Sequence, residues 1–316
     1  MTHTVFIDGE AGTTGLKIRE RLHGREELQL IHLPDEKRKL TAARAEALNS
    51  ADISVLCLPE DASREAISLI EAQDARVIDT SMAYRTHPDW VFGFPEYGPE
   101  QRDKITTAKR VTNPGCYSCG AISILKPLVS LGLIPEHYPV TINAVSGYTG
   151  GGKKLISDFE KEASADKFGT AFYHYSLNLD HKHTDEIRVH SGLTHQPLFV
   201  PSVGRFAQGM IVSVPLQLWA LPVEPKPDDI YKGLTDYYTG QGFVVVESQE
   251  NTAKTINNLD PEALNSTNQL KLYVFGNETH RQALVAAVFD NLGKGATGQA
   301  VQCLNLMLGL KEDTGL

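Results

Sequence analysis

The sequence predicts an α/β protein in two parts: a doubly wound parallel sheet, then an α+β unit built on a mixed sheet. Three observations carry this. Strand-like and helix-like runs alternate over residues 1–113 at the pitch of β-α-β units. One of those early strands is apolar almost throughout, as strands buried on both faces are. After Cys116 the strand-like runs lengthen and crowd together, which is the ordering of a mixed or antiparallel sheet with helices on one face.

The elements follow in order. TVFI (4–7), LQLIHL (28–33), DISVLCLP (52–59) and RVIDTS (76–81) read as strands. Between them GLKIRERL (15–22) and the alanine-rich TAARAEALNSA (41–51) read as helices. SREAISLIEAQ (63–73) places Ala66, Ile67, Leu69 and Ile70 at helical spacing, with Ser63 as N-cap. One long helix, YSCGAISILKPLVSLG (117–132), opens the second part. Strands are expected over 140–148, 197–206, 210–221, 242–248 and 269–276, with a helix over 227–239. LPVEPKPDD (221–229) reads as a surface loop. KGATGQAVQCLNLMLGL (294–310) is a helix with Ala300, Val301, Leu304 and Leu308 on one side.

The chain has 316 residues, enough for one large domain or two ordinary ones. It is 41% hydrophobic and 22% charged, as folded soluble proteins are. No apolar run approaches the roughly 20 residues that a membrane span needs. The first residues lack the basic and apolar regions of a signal peptide. A net charge of −9 argues against a nucleic-acid partner. Four cysteines in so long a chain make no disulfide framework, so a reducing cytoplasm is the expected home.

IDGEAGTTGLKIRERL joins the first strand to the first helix, with Gly9, Gly12 and Gly15 spaced three apart. That is the logic of a Rossmann-type dinucleotide loop. Gly9 permits the turn, Gly12 admits a pyrophosphate, and Gly15 lets helix and strand pack closely. The helix N-terminus offers N–H groups to the phosphates, and Thr13 and Thr14 add hydroxyls. The bland alternative is a tight turn with no ligand. After the second strand, Asp35 or Glu36 suits the ribose of NAD, whereas Lys37, Arg38 and Lys39 suit a 2′-phosphate. The reading favours NADP, with Arg38 as its first contact; charges that merely solvate a loop are the alternative.

VTNPGCYSCGAI (111–122) sets Cys116 where Pro114 and Gly115 give way to a helix-forming run. A helix N-terminus lowers a thiol's pKa, and a thiolate attacks acyl phosphates and aldehydes. Asn113 is placed to hydrogen-bond to such a site. A metal site would need a second cysteine pair, and neither Cys57 nor Cys303 has a cysteine neighbour. A dithiol redox pair with Cys119 and an unactivated core thiol are the other readings; Cys119 is expected one turn on, facing the core. A nearby base would help the thiolate. NLDHKHTDEI (178–187) holds His181 and His183, and the residues alone do not choose between them.

At this point the chain resembles a known family, the N-acetyl-gamma-glutamyl-phosphate reductases of the shorter type. The matching pieces are DGEAGTTG, DTSMAYR (79–85), FGFPEY (92–97), NPGCY (113–117), AVSGYTGGGKK (144–154), HKHTDEI (181–187) and DNLGKGATGQAVQCLNLMLGL (290–310). They span nearly the whole chain. The resemblance implies a fold like aspartate-semialdehyde dehydrogenase and glyceraldehyde-3-phosphate dehydrogenase. It implies NADPH-dependent reduction of N-acetyl-L-glutamyl 5-phosphate to N-acetyl-L-glutamate 5-semialdehyde and phosphate, a step of arginine synthesis. On this likeness Cys116 forms a thioester and His181 is the acid/base. Ser146, Gly147, Thr149 and Lys153 suit phosphate and carboxylate. Longer members carry an Arg-Gly where this chain has Gln208-Gly209, which leaves Arg205 as the candidate for the substrate anion.

The same likeness puts Leu58 and Pro59 at the adenosine side and Ser81 near the cofactor. It also brings Asn291 and Gly295 to the nicotinamide, with the C-terminal helix packed back on the first domain. The expected domains are therefore 1–114 with 291–316, which bind NADP, and 115–290, which carries catalysis and oligomerisation. A homodimer or homotetramer is implied, with a small-molecule substrate and neither nucleic acid, membrane nor metal. The rival readings are aspartate-semialdehyde dehydrogenase, a reductase of a carrier-linked aminoadipyl phosphate, and a non-enzymatic NADPH-binding sensor.

Overall fold

The early alternation builds a six-stranded sheet in which every pairing is parallel. The computed structural model describes residues 2–160 and 171–316. In chain order come β1 (His3–Asp8), α1 (Thr13–Leu22), β2 (Leu28–Ile31), α2 (Thr41–Ser50), β3 (Ile53–Leu56), α3 (Glu60–Ser68), β4 (Arg76–Asp79), β5 (Val91–Phe92), α4 (Gln101–Thr107) and β6 (Arg110–Thr112). The strand order is β2-β1-β3-β4-β6-β5. Strand alternation divides the core. Val5 and Ile7 face a layer with Ile18, Leu22, Val301 and Leu304, while Phe6 faces Leu48, Leu56, Ala66 and Val77. The order reverses between β1 and β3, and ligands of such sheets bind at the carboxyl ends of strands flanking that switch.

Two local outcomes differ from expectation. Helix α3 starts at Glu60 with Pro59 at the N-cap, so Ser63 is not the cap. Proline's fixed φ suits that start, and Glu60 and Asp61 complement the dipole of the first turn. Ser63 is buried instead and donates to Asp79 Oδ1 at 2.5 Å. Arg76 also does work that its strand position did not announce. Its guanidinium donates to Ala108 O at 3.1 Å, Thr106 O at 2.7 Å and Met307 O. It thereby satisfies carbonyls that helix C-termini leave without intrahelical partners.

The second unit continues with α5 (Cys116–Ser130), β7 (Thr141–Gly147), α6 (Gly152–Glu160), β8 (Phe172–His174), α7 (Thr184–Ser191), β9 (Leu198–Gly204), β10 (Met210–Gln217), α8 (Pro227–Tyr238), β11 (Val244–Val246), α9 (Gln249–Lys254), β12 (Leu270–Asn277) and β13 (Gln282–Phe289). Its seven-stranded sheet runs β11-β12-β13-β10-β7-β9-β8, with parallel β7–β9 and β11–β12 pairs among antiparallel ones. Helix α5 lies against this sheet closely enough that a Cβ on Gly120 would sit 2.8 Å from Phe289 and Val212 atoms. The opposite face shows Val145, Ile211, Phe275 and Leu284 half-buried or exposed.

The chain divides into Met1–Gly115 with Ala296–Leu316, and Cys116–Gly295. Residues 291–295, assigned from the sequence to the first domain, therefore lie in the second unit. A π-helical turn, Gly293–Thr297, leads into α10 (Gly298–Met307), which belongs to the first. No helix among the described residues is long and apolar enough to cross a membrane.

Candidate active site

In the first unit each loop glycine has a steric reason. Gly9 has φ +89°, and a Cβ there would sit 2.4 Å from Cys57 O. A Cβ on Gly15 would sit 2.4 Å from Gly9 O, so Gly15 sets how closely α1 approaches the loop. Gly12 is the N-cap of α1, with Thr13 and Thr14 as its first residues. Beside this loop is a cavity of about 580 Å³ at the ends of β1 and β3, with Gly9, Gly12, Leu58, Pro59, Arg38 and Arg44 in its wall.

That cavity suits the adenosine half of a dinucleotide. Its walls are largely apolar, with Asp8, Glu10 and Glu65 among them, the helix N-terminus is aimed at anions, and Arg38 and Lys39 are cations in its lining. Arg38 is ion-paired to the exposed Asp35, at 3.3 Å. Arg44 escaped sequence reading. Its Nε and Nη2 each reach Asp8 Oδ2 at 3.0 Å, and its Nη1 reaches Glu65 Oε2 at 3.3 Å. Burial pushes the Asp8 carboxyl up, against the pull of Arg44. Only the position of Arg44 in α2, folded across β1, reveals it.

Thr13, Thr14, Gly15 and Ser81 do not line that cavity. Ser81 spends its hydroxyl locally: it donates to Asp79 Oδ2 at 2.6 Å and accepts from Ala83 N–H at 3.0 Å. Asp79 is fully buried and also holds Ser63, so its carboxylate ties the start of α3 to the turn after β4. Burial raises its pKa, against the two hydroxyls. Asn113 is buried, donating to Ala296 O at 3.0 Å.

In the second unit Cys116 is the first residue of α5 and only half-buried, so its sulfur sits where the N–H groups of a helix start lack intrahelical partners. In the first unit, burial pushes the Cys57 thiol up to about 12. Burial raises the phenols of Tyr117 and Tyr175, and the nearby Cys116 adds to the rise in both. Tyr175 Oη in turn lies 3.3 Å from His181 Nε2. Cys116, Tyr175 and His181 thus form one cluster, and Tyr175 was not foreseen.

His181 is buried amid aromatic rings, with Phe199 at 5.0 Å, Tyr175 at 5.6 Å and Tyr117 at 5.8 Å between centroids. Burial first, and then the Lys182 charge, lowers its pKa to about 4. The His183 backbone N–H donates to His181 Nδ1 at 3.1 Å. That bond makes Nδ1 an acceptor, so the neutral ring carries its proton on Nε2. The two histidines therefore have distinct tasks: the backbone of His183 sets the tautomer of His181. Among the described residues, no group of three or more His, Cys, Asp or Glu is arranged to hold a metal.

Most of the remaining predicted residues brace loops. Gly147 abuts the next loop: a Cβ there would sit 2.5 Å from Ala207 O. Thr149 Oγ1 donates to Ala207 O at 2.6 Å and accepts from Asn291 Nδ2 at 3.3 Å. Asn291 Oδ1 accepts from Gly209 N–H at 2.8 Å. Asn291 is thus a buried strut between the 146–150 and 206–209 loops of the second unit, which corrects its assignment to the first domain. Gly295 is corrected likewise: a Cβ there would lie 3.1 Å from Cys116 Cβ. Ser146 is buried and donates to Gly147 O at 3.1 Å. Lys153 is exposed on α6. Arg205 is exposed and stands over the Phe159 ring at 6.0 Å.

A nucleotide-binding first unit and a thiol-and-imidazole second unit define a class of protein, and comparisons with known proteins agree. Residues 4–105 match the model of the semialdehyde dehydrogenase NAD binding domain, and residues 116–291 that of the semialdehyde dehydrogenase dimerisation domain. The fold is that of solved aspartate-semialdehyde dehydrogenases. The Pseudomonas aeruginosa structure, described as a probable member, aligns with TM-score 0.71 at 14% identity, covering 98% of this chain and 99% of the other. One from Candida albicans, solved with NADP, aligns with TM-score 0.65 at 13% identity, covering 98% and 99%.

Sequence relatives narrow the class. The chain is 47% identical to N-acetyl-gamma-glutamyl-phosphate reductase 2 of a Nostoc species, covering 99% of this chain and 98% of the relative. It is 50% identical to the N-acetyl-gamma-glutamyl-phosphate reductases of a Chelativorans species and of Brucella ovis, covering 98% of this chain and 99% and 100% of theirs. The chain belongs to the N-acetyl-gamma-glutamyl-phosphate reductase family.

Proposed function

We propose that this protein reduces N-acetyl-L-glutamyl 5-phosphate to N-acetyl-L-glutamate 5-semialdehyde and phosphate with NADPH, as a step of arginine synthesis. The observation that carries the reading is Cys116 at the start of α5, clustered with Tyr175 and a neutral His181. The helix start stabilises the thiolate, which attacks the acyl carbon and expels phosphate, leaving a thioester. Bound coenzyme supplies the hydride. His181 Nε2–H donates to the oxygen as it becomes an alkoxide, and collapse of that alkoxide returns the thiolate without a net proton. The alternative task, taking the thiol proton, fits less well, because the His183 N–H already occupies Nδ1.

Gly9, Gly12 and the start of α1 would hold the pyrophosphate, Leu58 and Pro59 the adenosine, and Arg38 with Lys39 the 2′-phosphate. The cations in the cavity lining support NADPH over NADH. Ser146 and Arg205 remain candidates for the substrate's phosphate and carboxylate. The test runs the reaction backwards. N-acetylglutamate semialdehyde with phosphate should reduce NADP, more slowly NAD, and aspartate semialdehyde should give little signal. A clear signal with aspartate semialdehyde alone overturns the substrate assignment.

A second copy of the chain is the proposed partner, seated on the face of the seven-stranded sheet opposite α5. Val145 pairs with Ile211 there and Leu284 with Phe275, two apolar pairs on that face. Sedimentation should show a dimer or larger, and Ile211→Glu should shift it towards monomer. A monomeric wild type at micromolar concentration rejects this.

A further inference from the structure

The two cysteines of α5 meet the same neighbour. Cys119 is fully buried, and its Sγ donates to Lys294 O at 3.6 Å. Cys116 Cβ stands 3.1 Å from where a Cβ of Gly295 would be. Consecutive residues of one turn therefore lie beside both side chains, which places them on the same side of the helix. Residues three apart in an α-helix have Cα atoms about 5 Å apart. That lies inside the span a disulfide bridges, about 4.4–6.8 Å. Cys116 is open enough for a small oxidant, whereas Cys119 is closed to everything except its neighbours.

We propose that Cys119 is a resolving cysteine, which traps oxidised Cys116 as an intrahelical disulfide and so protects the nucleophile from irreversible oxidation. The proposal rests on Cys116 being the reactive thiolate. The oxidant is a hydroperoxide. Cys116 sulfur attacks one peroxide oxygen, the O–O bond breaks, and the second oxygen leaves as alkoxide or hydroxide. Sulfur is oxidised to sulfenic acid and the peroxide is reduced. Cys119 sulfur then attacks Cys116 sulfur, the S–O bond breaks, and hydroxide leaves with the Cys119 proton as water. Lys294 O already accepts from that thiol. The other thiols lie elsewhere: Cys303 donates to Gly93 O at 3.3 Å, and Cys57 is held protonated by burial.

The experiment treats wild type and Cys119→Ser with hydrogen peroxide until activity is lost, then adds dithiothreitol. Wild type should regain most of its activity. Its tryptic peptide carrying residues 116 and 119 should be about 2 Da lighter than the dithiol form before reduction. Cys119→Ser should start with near-normal activity, stay inactive after dithiothreitol, and carry about 32 Da of added oxygen on Cys116. A wild-type peptide that gains oxygen but never loses 2 Da overturns the proposal. So does a Cys119→Ser protein that recovers as wild type does. Cys119→Ala replaces it if the serine disturbs the core. An active Cys116→Ser protein would instead remove the reading of Cys116 itself. An inactive one, with no disulfide in wild type, removes only the role of Cys119.

Discussion

Cys116→Ser is expected to lower turnover on the order of 10⁴-fold or more, while leaving NADPH affinity unchanged. The loss follows from the chemistry. A serine hydroxyl at the same helix start is not ionised at neutral pH, because the dipole shifts a thiol into range but not an alcohol. No thioester forms, so no burst of phosphate release appears in a single turnover. Affinity should hold because the cavity proposed for the adenosine half lies within the first unit, and Cys116 opens the second. Coenzyme fluorescence titration and rapid-quench phosphate release make the two measurements. Full turnover in the serine variant would end the covalent mechanism.

His181→Asn should cut kcat on the order of 10²–10³-fold with little change in KM, the effect of removing one donor to a developing oxyanion. It should also change acid stability. The His181 pKa is about 4 in the fold against 6.5 for the unexposed-to-protein reference value, so the unfolded chain binds the proton more readily. Its contribution is fully present above pH 6.5 and is lost as the pH falls towards 4. Between pH 7 and pH 5 the loss from this one residue is about 2 kcal/mol. Urea unfolding at the two pH values should show a smaller loss in His181→Asn than in wild type. An equal loss in both would mean that His181 is not held neutral.

Much of this site was legible because its chemistry depends on neighbours in sequence. The glycine loop must sit between β1 and α1, and a cysteine at a helix start needs only the residues around it. Both positions are where the sequence put them. The His181 assignment came from family likeness, because an imidazole and its partners meet only in space. Tyr175 and Arg44 had no local signal at all: one acts across to His181, the other across α2 to Asp8.

Element types followed the same division. β13 (QALVAAVF) went unassigned since its alanines carry little strand preference. It is a strand because β10 and β12 pair with it on both sides. Ser63 was misread as a cap since a serine before a helical run offers the same local cue whether it caps or is buried. Asn291 and Gly295 were placed with the nucleotide domain because the motif carrying them runs unbroken into α10. The chain passes between the units inside that motif, and no local preference marks such a point.

The sequence by itself determined the class of fold, the glycine loop and the place of Cys116 at a helix start, because periodicity, glycine sterics and a helix start are local properties. Only the tertiary structure decided which nitrogen of His181 bears the proton, which polar residues brace loops, and that the Cys119 thiol donates to Lys294 O. Those depend on burial and on contacts between residues distant in the chain.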